Sequence, residues 1–210
     1  MNSSQPHAAS SSKDEYFDLG PFNRLVTTSS EDAQIWFDRG LIWCYAFNHE
    51  EAAECFEKAI VSDAGCAMAY WGLAYALGPN YNKPWEFFDD KELVSIVDRT
   101  SQVAAKAREH APLASPVEQA IIGAIQFRYQ KGTNKSYSIW NQNYADEMGS
   151  VYMKFPDDLD VAALYADALM NLTPWQLWDI RTGEPASGAR TMDAKRVLDR
   201  ALAQNGGLAQ

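Results

Sequence analysis

Long hydrophobic runs are missing from this sequence: no apolar stretch approaches the ~20 residues that a membrane-spanning helix needs. Positive charge is also in short supply. Lys and Arg number 18 against 28 Asp and Glu, the net charge is −10, and the basic residues form no cluster. Binding to nucleic acid or to an anionic membrane rests on clustered Lys and Arg, so neither is expected as a partner. A neutral or basic protein, or a small ligand, remains compatible with such a charge. Cysteine is scarce. Cys44, Cys55 and Cys66 contain no C-x-x-C pair, and their odd number fits reduced, buried thiols better than a disulfide framework or a metal site. The N-terminal MNSSQPHAASSSKDEY lacks the hydrophobic segment of a secretory signal, which points to a cytoplasmic chain. Its serine-rich character predicts a disordered or irregular leader over residues 1–28, ahead of a helical domain over 29–210. No P-loop, G-x-G-x-x-G or G-x-S-x-G motif occurs, so phosphate cradles and the serine-hydrolase elbow have no support.

Aromatic residues and helical periodicity are plentiful, and no segment alternates as a strand would. The spacing predicts a first helix over 31–47, capped by Ser29 and Asp32, with Ile35, Trp36, Trp43 and Phe47 on one face. Asn48 and Glu51 stand at capping-box spacing and open a second helix. A third covers 65–77 and stops at Gly78-Pro79, glycine serving a left-handed exit and proline barring continuation. Asp89 with Glu92, then Ser115-Pro116 with Glu118, start a fourth helix reaching residue 110 and a fifth ending before Lys131-Gly132. Helices over 138–154, over 159–172 with Asp157 and Asp160 as caps, and over 191–203 complete a set of about eight. Mostly short turns join them, as in stacked antiparallel hairpins.

Trp36, Gly40 and Trp43, followed by Ala52, Phe56 and Ala59, carry the offsets of a tetratricopeptide repeat. A step of 34 residues carries Trp36 to Tyr70 and Gly40 to Ala74, and Ala194, Leu198 and Ala201 repeat the spacing of Ala52, Phe56 and Ala59. Small residues let paired helices approach, and large ones fill the groove to the next hairpin. The chain therefore resembles the tetratricopeptide-repeat (TPR) family over about residues 30–205, most closely over 31–77, with Arg39 and Ala64 as departures. The strings YAFNHEEA, CAMAYWGLAYALGPNYN and NLTPWQLWD resemble a group of longer microbial TPR proteins. The resemblance implies an all-α fold, a right-handed α-solenoid of degenerate TPR-like hairpins. It also implies further repeats in such relatives, including a His-containing helix that is not found here. With no capping helix read after residues 205–207, the expectation is a fragment, a shortened relative or one half of an assembly. Leu198, Ala201 and Leu202 are the residues through which the last helix would self-associate.

His49 invites a catalytic or metal-binding reading, but it has no second His at i+4 and belongs to no Glu-x-x-His pair. An exposed residue in the first turn of a capped helix is the simpler account, and no catalytic residue, metal or cofactor is assigned. The unusual content lies in two inserts, 78–88 and 173–189, each longer than a helical hairpin needs and each pairing Pro with Trp. Asn80, Tyr81, Asn82 and Trp85 in one, and Trp175, Trp178 and Asp179 in the other, combine aromatic faces with polar groups, as ligand pockets and interface hot spots do. The opposing reading has these Trp residues filling gaps between irregular repeats. The functional expectation is a protein-binding scaffold using a concave groove and the aromatic inserts to hold a protein or peptide partner. The alternatives are a small-molecule- or metal-binding enzyme with its site where the inserts meet, and a fragment without independent function.

Overall fold

The structure, a computed structural model, describes residues 16–130 and 137–204. Those residues form eight α-helices: α1 Glu31–Tyr45, α2 His49–Ser62, α3 Ala67–Leu77, α4 Asp90–His110, α5 Pro116–Ile125, α6 Tyr137–Lys154, α7 Leu159–Met170 and α8 Thr191–Gln204. Short 3₁₀ turns occupy Trp85–Phe87 and Ala111–Leu113. Among the described residues no strand forms, and the one extended pairing is an isolated antiparallel bridge between Trp178 and Pro185. No described helix is long and apolar enough to cross a membrane. The first fifteen residues of the leader and the ends at Lys131-Gly132 and Asn205-Gly206-Gly207 lie outside the described residues.

Each helix packs on the next in sequence, and α3 also touches α1 and α5. The contact at the start of this series explains two of its small residues. Phe56 of α2 is fully buried, and its ring lies where a Cβ on either Gly40 of α1 or Gly72 of α3 would overlap it. One aromatic ring therefore fills the space that two glycines leave, and interiors at crystalline density have no slack for either methyl. The deepest face of α1 is Ala33, Phe37, Leu41 and Cys44, a 3.6-residue stripe, whereas Trp36 and Trp43 are half-buried on its flank.

Local signals set the helix ends, with several shifts from expectation. Ser30, not Ser29, caps α1 by accepting from Ala33 N at 3.2 Å. The helix ends at Tyr45 rather than Phe47, in a Schellman motif: Asn48 N donates to Trp43 O and Phe47 N to Cys44 O. Phe47 takes the left-handed position, φ +61°, that glycine usually holds there. Asn48 accepts from Glu51 N at 3.3 Å, but the reciprocal half of the box is not made, because Glu51 takes the Tyr16 hydroxyl instead. Asp158, rather than Asp157 or Asp160, caps α7. Gly78 leaves α3 in extended geometry, φ −80°, not left-handed; it must be glycine because a Cβ would overlap the Tyr129 hydroxyl. α5 stops at Ile125, where i→i+3 bonds tighten residues 126–128 into a turn that swings Arg128 and Tyr129 toward α3.

Residues 16–30 have no regular structure yet are tied along their length to the helices. Tyr16 accepts from Trp43 Nε1 at 2.6 Å and donates to Glu51 at 2.5 Å, while the Arg39 guanidinium lies 4.3 Å from its ring centroid and 4.6 Å from that of Trp36. Arg39, a polar departure from the repeat pattern, thus has a packing role. Asn23 and Arg24 donate to the buried carboxylate of Asp38 on α1. Arg24 reaches Asp158 at 2.9 Å and Asp160 at 2.6 Å on α7. Thr27 donates twice to Glu118 of α5, at 2.7 and 2.6 Å. This segment is a strap that binds α1, α5 and α7 together. Burial would raise the carboxyls of Asp158 and Glu118, but Arg24 for the first, and Ser115 and Thr27 for the second, hold both below the usual carboxylate range.

Candidate functional site

The two inserts meet. Tyr81 and Trp175 lie with ring centroids 5.6 Å apart, so residues 78–88 and 173–189 share a boundary. The candidate residues nevertheless have different fates. Trp85 is core: it is 2% exposed, stacks on Tyr137 at 4.6 Å, and donates from Nε1 to Asn141 Oδ1 at 3.1 Å. Asn80 is spent on its own turn, accepting from the amides of Asn82 and Lys83, and Asn82 is an exposed member of that turn. Asp179 likewise closes a local turn, accepting from Arg181 N at 2.9 Å, a bond that holds its carboxyl below the usual range. Trp175 and Trp178 are left with large exposed faces, 61% and 47%, beside the still more exposed Ile180. Trp175 sits at φ +63°, a left-handed conformation that costs a non-glycine residue about 1 kcal/mol or more. An aromatic side chain presented to solvent on a strained backbone is the most distinctive feature of this junction.

A second constellation lies on the inner side of α3, and no sequence motif singles it out. Arg128, after α5, is 2% exposed. Its guanidinium carbon is 4.9 Å from the ring centroid of Tyr144 on α6 and 5.3 Å from that of Tyr75 on α3. Nη2 donates to Pro79 O at 2.5 Å in the first insert, while Nε and Nη1 have no hydrogen-bond partner. Tyr75 stacks on Trp71 at 5.3 Å and donates to Asp167 of α7 at 2.8 Å. Burial raises the Asp167 carboxyl, with the Arg128 charge and the Tyr75 bond acting against it. The indole nitrogen of Trp71 and the hydroxyl of Tyr144 are buried and unpartnered as well.

His49 joins this constellation and corrects the expectation of an exposed first-turn residue. It is half-buried, and neither ring nitrogen reaches solvent or a hydrogen-bond partner. Burial, reinforced by the positive charge of Arg128, pushes its pKa down to about 4, so the ring is neutral at pH 7. The three thiols are free and buried, and burial raises all three. Among the described residues no three His, Cys, Asp or Glu side chains are grouped to hold a metal. A sequence signal for Arg128 does exist: one guanidinium stands in the otherwise uncharged run IIGAIQFRYQ, where burial demands a partner.

At the C-terminal end, α8 packs Ala194 and Val197 against Ala162, Ala166 and Leu169 of α7. Leu198 and Leu202 stay partly exposed, and Ala201 is half-buried against the same cluster. No protein-family model matches the chain, and no curated protein is significantly similar to it.

Proposed function

We propose that this chain is a TPR-like helical solenoid that acts as a binding module, docking a segment of a partner protein at the junction of its two inserts. The packing of each helix on its neighbour in sequence and the Phe56 ring set against Gly40 and Gly72 support the repeat reading. The observation that carries the functional reading is Trp175: exposed, held at positive φ, and set against Tyr81 of the other insert. Exposed aromatic clusters of this kind, here with Trp178 and Ile180 alongside, are the material of interface hot spots. The net charge of −10 favours a segment carrying basic residues around an apolar anchor.

The test is selection of binders from a displayed peptide library, followed by measurement on the wild type and on Trp175→Ala and Trp178→Ala. Loss of a hot-spot aromatic lowers affinity by about 30-fold. Selected peptides should show that loss with at least one of the two variants, while helical content by circular dichroism stays constant. Peptides that bind both variants as tightly as the wild type, or a selection that enriches none, would overturn the reading.

A further inference from the structure

We propose that the Arg128 constellation is a binding site for a small organic oxyanion, a carboxylate or phosphate carried on a flat apolar body. Unpartnered donors outnumber acceptors in this cluster. Arg128 Nε and Nη1, Trp71 Nε1, the Tyr144 hydroxyl and the single N–H of the neutral His49 ring are donors buried without a partner. Arg128, Trp71 and Tyr144 are among the most deeply buried large side chains in the molecule. Buried N–H and O–H groups are almost always paired, because leaving them unmade sacrifices their hydration with nothing in return.

The nearby anion does not serve as the missing acceptor. Asp167 takes the Tyr75 hydroxyl and makes no direct ion pair with Arg128. A purely structural Arg–Asp pair would close with bonds between its two charged groups, since an imperfectly paired buried charge destabilises a fold. Here the guanidinium is instead flanked by the rings of Tyr75 and Tyr144 and anchored to the backbone by Nη2 alone. That arrangement aligns the fork while keeping donors free, and guanidinium forks match planar carboxylates and phosphates. Tyr75, backed by the buried Trp71 with the planes 13° apart, supplies the apolar surface for the body of the ligand. Tyr75 and Asp167 are only half-buried and mark the edge where the cluster meets solvent. None of these residues belongs to the Trp175 surface, so the two sites succeed or fail separately.

The experiment titrates the intact chain with benzoate and with phenyl phosphate, using benzamide as the neutral control, followed by calorimetry and by the Arg Nε–H NMR resonance. Wild type should bind at least one anion saturably, with a Kd below about 1 mM and a preference over benzamide of at least about tenfold. Benzoate binding alone identifies a carboxylate site and phenyl phosphate binding alone a phosphate site; either supports the proposal. Tyr144→Phe keeps the ring and removes only the unpartnered hydroxyl. It should weaken the anion about tenfold while leaving the melting temperature unchanged or higher, because no hydrogen bond is lost from the protein itself. Arg128→Lys, which keeps charge but not the fork, should abolish the preference over benzamide. Absence of saturable binding, equal affinity for benzamide, or undiminished anion binding by Tyr144→Phe would each show that the constellation is structural packing.

Discussion

Pro84-Trp85 and Pro174-Trp175 are the same dipeptide in loops placed after helices of similar length, yet the first Trp is 2% exposed and the second 61%. The surroundings of each loop account for the difference. Residues 78–88 run into α4 beneath α6, whose Tyr137, Trp140 and Asn141 close over the indole and take its N–H. Residues 173–189 fold on themselves: Asp179 N donates to Glu184 O, Gly183 N to Asp179 O, and Ala186 N to Leu177 O. A loop that satisfies its own backbone does not need the core to do so, and its aromatic side chains are free to face outward. Composition alone therefore cannot tell a buried plug from an exposed aromatic face.

Truncating each indole tests the difference most directly. Trp85→Ala should cost about 3–5 kcal/mol in urea unfolding, the range for a large aromatic removed from a core. Trp175→Ala should cost less than about 1 kcal/mol, as exposed substitutions do. Equal losses would erase the distinction. Acid should separate the two inserts next, because Arg128 links the first to His49, whereas among the described residues no buried His lies by the second. A His whose folded pKa is depressed is neutral in the native state while the unfolded chain takes up a proton. Stability should then fall as pH drops from about 6.5, with most of the loss complete near pH 4, at a cost of up to roughly 3 kcal/mol. His49→Leu should flatten that window, leaving the loss below about pH 4 from the depressed carboxyls of Asp158 and Glu118, which stabilise the strap only while ionised.

Two glycines give a smaller contrast. Gly78→Ala in the first insert should cost about 1–3 kcal/mol by overpacking and push Tyr129 off its bond to Ala74 O, whereas Gly183→Ala in the second meets open space and should cost about 1 kcal/mol for its φ of +73° alone. The smallest effect is expected for Trp175→Gly. Relief of backbone strain offsets the lost contact with Tyr81, keeping stability within about 1 kcal/mol. Thermal unfolding measures both sets.

Helix number and most helix starts were legible because Asn48, Asp89, Ser115-Pro116 and the residues before α7 carry short-range signals acting within one turn. Helix ends were less legible: Phe47 takes the left-handed position where a glycine would be the signal, and α5 stops in a tight turn with no Gly or Pro to mark it. The meeting of Tyr81 with Trp175 was framed as a question by the paired inserts, and the burial of Trp85 was one of its two expected answers. The grouping of Arg128, Trp71, Tyr144 and Asp167 is not legible in the sequence, because they stand on or beside four different helices and no spacing encodes that convergence.

The strap has a consequence for how the chain folds. Most helix contacts in this chain join neighbours in sequence, and such local contacts can form and melt pair by pair. Arg24 clasps Asp158 and Asp160 across more than half of the chain, a contact of high order that cannot form until α7 exists. Residues 16–30 precede every helix in the sequence, yet they complete their contacts only once α7 is in place. Once closed, the clasp adds to the coupling between α1 and α7, so that neither end of the chain can melt without loosening the other.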